Sequence, residues 1–203
     1  ILSRSLKIPA VLGVANALAQ ISSGEELIVD GSAGEVYTDI DDTMRAHFAA
    51  AQKRFAEKTA LEEKYRGKPT ATKDGISKKL YANIGSPKDL EAVLAGDAEG
   101  VGLFRTEFLF LDRSSMPTEE EQFEAYRTVA AGMRGREVVI RTLDVGGDKD
   151  IPYLNLKKEE NPFMGFRAVR YCLANPDVYK AQLRAILRAS AYGNVAVMVP
   201  LVT

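Results

Sequence analysis

From about residue 76 onward, apolar runs alternate with segments of helical character, and this alternation constrains the fold more than any other feature of the chain. Lys79-Leu-Tyr-Ala-Asn-Ile84, Gly100-Val-Gly-Leu-Phe-Arg105, Val138-Val-Ile-Arg-Thr-Leu-Asp144 and Asn194-Val-Ala-Val-Met-Val-Pro-Leu201 read as strands. The helices between them have legible starts. Ser86-Pro87-Lys88-Asp89 places an N-cap before a proline at the first helical position, for a helix that runs to Gly96. Thr118-Glu-Glu-Glu121 is a capping box that opens a helix to about Met133. Asn161-Pro162 and Asn175-Pro176 are read as caps of two further helices in the manner of Ser86-Pro87. Apolar strands separated by helices imply a parallel sheet covered on both faces. Four such units would make half of a (β/α)8 barrel. An open doubly wound sheet is the alternative that pattern alone leaves standing.

The first 70 residues have a different character. Two apolar runs flank Asp30-Gly31-Ser32 and predict a hairpin or two-strand corner. Residues 41–66 contain no Gly or Pro and many good helix formers, and Met44, Phe48, Ala51 and Phe55 step along one helical face. The stripe fades before Tyr65, which suits a connector better than a core helix, and Gly67 and Pro69 end it. The chain starts at Ile1 and its last residues read as a buried apolar strand, so we expect an internal segment of a longer polypeptide.

Composition excludes several classes. With 27 Lys+Arg against 28 Asp+Glu, the formal charge of −1 lacks the basic surplus of a nonspecific nucleic-acid binder. No run of about 18 apolar residues exists to span a membrane. One cysteine, Cys172, cannot form an internal disulfide or a multi-cysteine metal site, and one histidine, His47, cannot form a histidine cluster. Such cysteine usage fits the cytoplasm.

Chemistry in a βα barrel sits at the carboxyl ends of the strands. There Arg105 and Arg141 each follow an apolar run, at the same end of neighbouring strands. Two guanidinium forks so placed can clamp a ligand bearing phosphate and carboxylate. The plainer alternative is that they pair with Glu107 and Asp144 and only stabilise the strand ends. Val145-Gly146-Gly147-Asp148-Lys149 allows a close backbone approach and a lysine reaching a phosphate, although it lacks P-loop spacing. Gly100-Val-Gly102 lacks the third glycine of a dinucleotide fingerprint. Arg167 is expected in the first two turns of a helix, with Arg170 nearby; either contacts phosphate or lies on the helix surface. Arg184 and Arg188 read as a solvated face, His47 as a surface or partly packed residue, and Cys172 as a buried small residue. Glu119, Glu120 and Glu121 suit a helix N-terminus rather than acid–base work.

Gly100-Val-Gly-Leu-Phe-Arg-Thr-Glu-Phe-Leu-Phe-Leu-Asp112, Arg141-Thr-Leu-Asp-Val-Gly-Gly-Asp-Lys149, Glu160-Asn-Pro-Phe-Met-Gly-Phe-Arg167 and Gln182-Leu-Arg-Ala-Ile-Leu-Arg-Ala-Ser190 closely resemble one family, and the match extends over the whole chain. The sequence resembles enzyme I of the bacterial sugar phosphotransferase system, the phosphoenolpyruvate–protein phosphotransferases. Ile1-Leu-Ser-Arg-Ser-Leu-Lys-Ile-Pro-Ala10 is similar to the segment that follows the family's phosphorylated histidine.

The resemblance implies that residues 1–40 are the C-terminal part of a swivelling phosphohistidine domain, 41–69 a linker helix, and 70–203 the N-terminal half of a phosphoenolpyruvate-binding barrel. It implies a cytoplasmic, dimeric transferase that takes phosphoenolpyruvate with Mg²⁺, phosphorylates its own histidine and passes the phosphoryl group to the carrier protein HPr for sugar uptake. The family's substrate arginines fall on Arg105 and Arg141, and Lys149 and Arg167 match positions expected to face the phosphate. The family's metal ligands, a Glu and an Asp, and its proton donor, a Cys, would lie beyond Thr203. Cys172 does not take that role, and this segment alone is expected to be inactive. A relative such as pyruvate phosphate dikinase or phosphoenolpyruvate synthase is the alternative, although these should lack the Gly-Gly-Asp-Lys loop. A non-catalytic assembly module is another.

Overall fold

Asp30 turns the chain back on itself. Its Oδ1 accepts from the amides of Ser32 (2.8 Å) and Ala33 (3.1 Å), an Asx-type turn. This sets β1 (Ile28–Asp30) antiparallel to β2 (Glu35–Tyr37), after the short helix α1 (Ala17–Gln20). The expected hairpin is therefore present. The computed structural model describes residues 3, 8–111, 113–146, 151–154, 156 and 159–202. Helix α2 (Asp42–Glu63) starts at Asp41, whose Oδ1 accepts from the Met44 amide at 2.7 Å. Met44, Phe48 and Ala51 are half-buried, but Phe55 is 69% exposed, as a thin stripe implies. The chain divides into two compact units, Ile1–Arg66 and Gly67–Thr203. Among the described residues of the first, none is fully buried.

The second unit carries β3 (Tyr81–Ile84), α3 (Leu90–Ala95), β4 (Gly100–Arg105), α4 (Glu119–Gly132), β5 (Glu137–Arg141), α5 (Ala168–Ala174), α6 (Pro176–Ala189) and β6 (Val195–Met198). Its four strands are parallel in the order β3-β4-β5-β6. Each strand lies beside its predecessor, with no reversal, as successive strands of a (β/α)8 barrel do. One side of a doubly wound sheet has the same order, so the order fits both architectures.

The capping box predicted at Thr118 forms, and the N-cap predicted at Ser86 proves to be a second one. Ser86 and Asp89 cap a 3-10 turn leading into α3, and Thr118 and Glu121 cap α4. The two Asn-Pro pairs behave differently. No helix starts at Asn161-Pro162: residues 161–166 are turns, and α5 begins only at Ala168. The Glu159 carboxylate takes the Phe166 amide (3.0 and 3.1 Å), and Arg167 is held extended. Asn175 does precede α6, but its side chain does not cap it. Its Nδ2 donates to the Tyr171 carbonyl (2.9 Å), closing the end of α5 instead.

Cover on both faces of the sheet is also not what the structure shows. On β5, Val138 and Ile140 are buried, whereas Glu137, Val139 and Arg141 are half-buried. One face therefore packs deeply, against a core that includes Phe104, Tyr126, Val129, Met133 and Ile186. The Tyr81 side chain lies over Gly100 and Gly102, where an added Cβ would come within 2.9 Å of the ring at Gly100 and of the Tyr81 Cβ at Gly102, and its hydroxyl donates to Glu137 Oε2 (3.0 Å). Gly100-Val-Gly102 thus seats an aromatic ring, which only glycines permit. A second buried cluster of Phe110, Leu143, Val145, Ile151, Leu154 and Cys172 lies past the carboxyl ends of β4 and β5 and supports the loops there.

Candidate functional site

The register between β4 and β5 slips between Val101 and Phe104, where three steps on β4 match two on β5. Such a bulge re-aims side chains at a strand end. It brings Arg105 level with Arg141, so that two guanidinium side chains leave adjacent strands at the same height. Like charges so placed repel unless something offsets them.

Arg141 is offset within the protein. Its Nη2 donates to Glu107 Oε1 at 2.8 Å, and its Nη1 lies 3.3 Å from Asp144 Oδ2. Asp144 also binds Arg167, whose Nε donates to Oδ1 at 2.7 Å. Glu107, Arg141, Asp144 and Arg167 therefore form one chain of alternating charge, with side chains only 7–18% exposed. Burial strengthens these contacts, because the charges are little screened by water.

Arg105 is different. It pairs with no carboxylate among the described residues; its guanidinium lies over the Phe108 ring, 4.9 Å from the centroid, and its buried Nε lacks a hydrogen-bond partner there. Arg141 Nε and Glu107 Oε2 are buried and unpartnered in the same way. The plainer alternative, in which both arginines pair with Glu107 and Asp144, thus holds for Arg141 and fails for Arg105. Among the described residues, three arginines meet two carboxylates at these strand ends. Lys149 lies outside the described residues.

Arg167 is not inside a helix, as the sequence reading had it, but at the N-cap of α5 with extended backbone. The next residue, Ala168, has φ 51°, a left-handed conformation costing an alanine about 1 kcal/mol or more. Arg170 Nη1 donates to the Met164 carbonyl at 2.7 Å, so it braces the turn before α5. Arg184 and Arg188 are exposed yet not merely solvated: they bind Glu119 at 2.7 and 3.0 Å, and Arg188 also covers the Phe123 ring at 4.0 Å. His47 is exposed, with its ring edge against Phe48. Burial pushes the Cys172 thiol up to about 11, with Asp144 adding to the shift.

Behind the arginines lies a polar network that sequence reasoning missed. The buried Gln182 of α6 accepts from the Leu143 amide (2.8 Å) and donates to Thr106 Oγ1 and Tyr126 Oη, both at 3.2 Å. A glutamine among Ala185, Ile186 and Ala189 on the buried face of a helix was the available signal.

Residues 59–203 match the family model described as the PEP-binding domain of PEP-utilising enzymes, and residues 1–34 match the mobile domain of the same enzymes. The chain belongs to the PEP-utilising enzymes. Its relatives include proteins named phosphoenolpyruvate-protein phosphotransferase from Listeria innocua serovar 6a, Staphylococcus epidermidis and Geobacillus stearothermophilus. Each is 49% identical over 202 residues, which cover 100% of this chain and 35% of the relative. The chain thus spans about a third of the length of the curated relatives it matches.

The residues described for this PEP-utilising chain do not make a magnesium site by themselves. No group of three His, Cys, Asp or Glu able to hold a metal occurs among them. Glu107 and Asp144, the carboxylates at the strand ends, are already engaged by arginines. No helix among the described residues is long and apolar enough to cross a membrane.

Proposed function

We propose that the strand-end arginines bind phosphoenolpyruvate, as the donor site of a protein phosphotransferase. The observation that carries this reading is the register of Arg105 with Arg141, the first without a carboxylate among the described residues and the second already held in place. An anion with a carboxylate at one end and a phosphoryl group at the other fits two forks side by side. Arg167 extends the positive surface, and Lys149 adds to it in this reading. Phosphoryl transfer needs alignment and charge stabilisation more than covalent chemistry from the protein. As the bond from phosphorus to the enol oxygen breaks, negative charge grows on that oxygen and stays on the transferred group. Guanidinium groups already oriented by Glu107 and Asp144 meet that charge without rearranging.

In the same reading the acceptor is a histidine of the mobile domain, outside this chain, and HPr receives the phosphoryl group next in the service of sugar uptake. Mg²⁺ would be held by carboxylates outside this chain, with Glu107 and Asp144 left to the arginines. The sheet is the first half of a (β/α)8 barrel in a dimeric cytoplasmic enzyme. The exposed apolar residues of β6, Val197 and Met198, support further strand pairing at that edge, and the buried unpaired Cys172 supports a reducing compartment. The test is to incubate the intact protein with phosphoenolpyruvate labelled in its phosphate. Acid-labile label on histidine, passed on when HPr is added, is the expected result. No labelling, or labelling from ATP instead, would contradict the reading.

A further inference from the structure

We infer that Gln182, a residue of α6 with no place in the charged cluster, is the positioning residue that fixes the two arginine-bearing strand ends against each other. The inference rests on the donor-site reading above. The side-chain amide reaches both ends at once. Thr106, directly after Arg105, receives one of its N–H groups, while Leu143, two residues past Arg141, donates its amide to the Gln182 oxygen. Thr106 Oγ1 in turn donates to the carbonyl of Arg141 itself, at 2.7 Å.

The direction of every bond follows from chemistry. The Leu143 amide can only donate, so the Gln182 oxygen must face it. The Arg141 carbonyl can only accept, so Thr106 spends its proton there and must accept from Gln182. On the other side, Gln122 Nε2 donates to the Pro117 carbonyl (3.2 Å), so Gln122 Oε1 takes the Tyr126 proton (3.2 Å), and Tyr126 accepts the second N–H of Gln182. Burial pushes the Tyr126 phenol far above its ordinary value, so it keeps that proton. Both donors of Gln182 and its oxygen are used, and one arrangement of protons accounts for every bond named. A fully satisfied buried network is rigid, and a partly satisfied one is costly.

Methionine has the length of glutamine and none of its hydrogen bonds. In Gln182→Met, Thr106 and Leu143 lose their common partner, and the heights of Arg105 and Arg141 are held less tightly, by the strand pairing and the Thr106–Arg141 bond alone. The test compares the intact enzyme with Gln182→Met and with Val129→Ala, a core cavity that takes no part in the network. All are assayed well below their melting temperatures. Both variants should melt earlier. Only Gln182→Met should lose turnover with phosphoenolpyruvate, by about tenfold or more, because small misplacements cost that much. The KM for phosphoenolpyruvate should change less than kcat, since the charges remain. In NMR spectra, the Nε–Hε resonances of Arg105 and Arg141 should move in Gln182→Met and not in Val129→Ala. If Gln182→Met does not fold, Gln182→Asn, too short to span both strand ends, carries the same expectations. A kcat within twofold of the unaltered enzyme, or arginine resonances that stay in place, overturns the inference. If the unaltered enzyme does not use phosphoenolpyruvate, the donor-site reading fails, and the arginine resonances still decide whether Gln182 positions the pair.

Discussion

A guanidinium at a strand end gives up part of its hydration, and Arg105 and Arg141 meet that loss by different means. Arg141 has Glu107 and Asp144. Arg105 has the face of Phe108, and a cation–π contact is worth about 0.5–2 kcal/mol, little beside the hydration of a charge. Among the described residues no carboxylate makes up the difference, which is why the proposed donor site assigns an anionic ligand to Arg105. Cys172 is the opposite case, a reactive type made inert by its surroundings. Its thiol is buried and pushed up to about 11, so almost no thiolate exists at pH 8. We expect iodoacetamide to leave Cys172 unlabelled in the folded protein and to label it fully in urea, read by intact mass. Rapid labelling of the folded protein would show that the α5 packing is wrong. The sequence placed Arg105 and Arg141 together because both end apolar runs. It did not reveal the tie from Arg167 to Asp144, since those residues lie 23 positions apart and only the fold joins them.

Elements were legible where their signals are local. The capping boxes at Ser86 and Thr118 work through residues three apart, which the folded chain keeps adjacent. Of the two Asn-Pro pairs, Asn175-Pro176 opens a helix as expected, although its side chain goes to the Tyr171 carbonyl instead of capping; Asn161-Pro162 opens none, and the chain turns until Ala168. At the start of α4, Glu121 is held at about 2, against an ordinary 4.5, mainly by Arg113 and then by the amide and hydroxyl of Thr118. Its folded value lies below its unfolded one, so its contribution is complete above about pH 4.5 and fades as the pH falls toward 2. Glu121→Gln should therefore lower the urea midpoint at pH 7, and the gap to the unaltered protein should narrow between pH 4.5 and 2. A gap independent of pH would show that the carboxylate's charge is not what matters there.

Across the molecule, packing is uneven, and stability should follow it. The unit from Gly67 onward holds every fully buried apolar residue among those described, whereas α2 is exposed along most of its length. Amides of β4 and β5 should exchange with deuterium only on global unfolding, and those of α2 through local opening, orders of magnitude faster. Equal protection of α2 and β5 would contradict this picture. The alternation of strands and helices made the order of the second unit readable. The one-sided burial of its sheet was not, because apolar runs look alike whether one face is covered or two. The central claim is that the paired arginines receive phosphoenolpyruvate. Its most direct test is the rate of phosphoenolpyruvate-dependent phosphorylation of the intact enzyme and of Arg141→Ala, with circular dichroism to show that both are folded. We predict a loss on the order of a hundredfold, the usual effect of removing one preorganised donor from a developing charge. An unchanged rate in a folded Arg141→Ala enzyme would contradict the account.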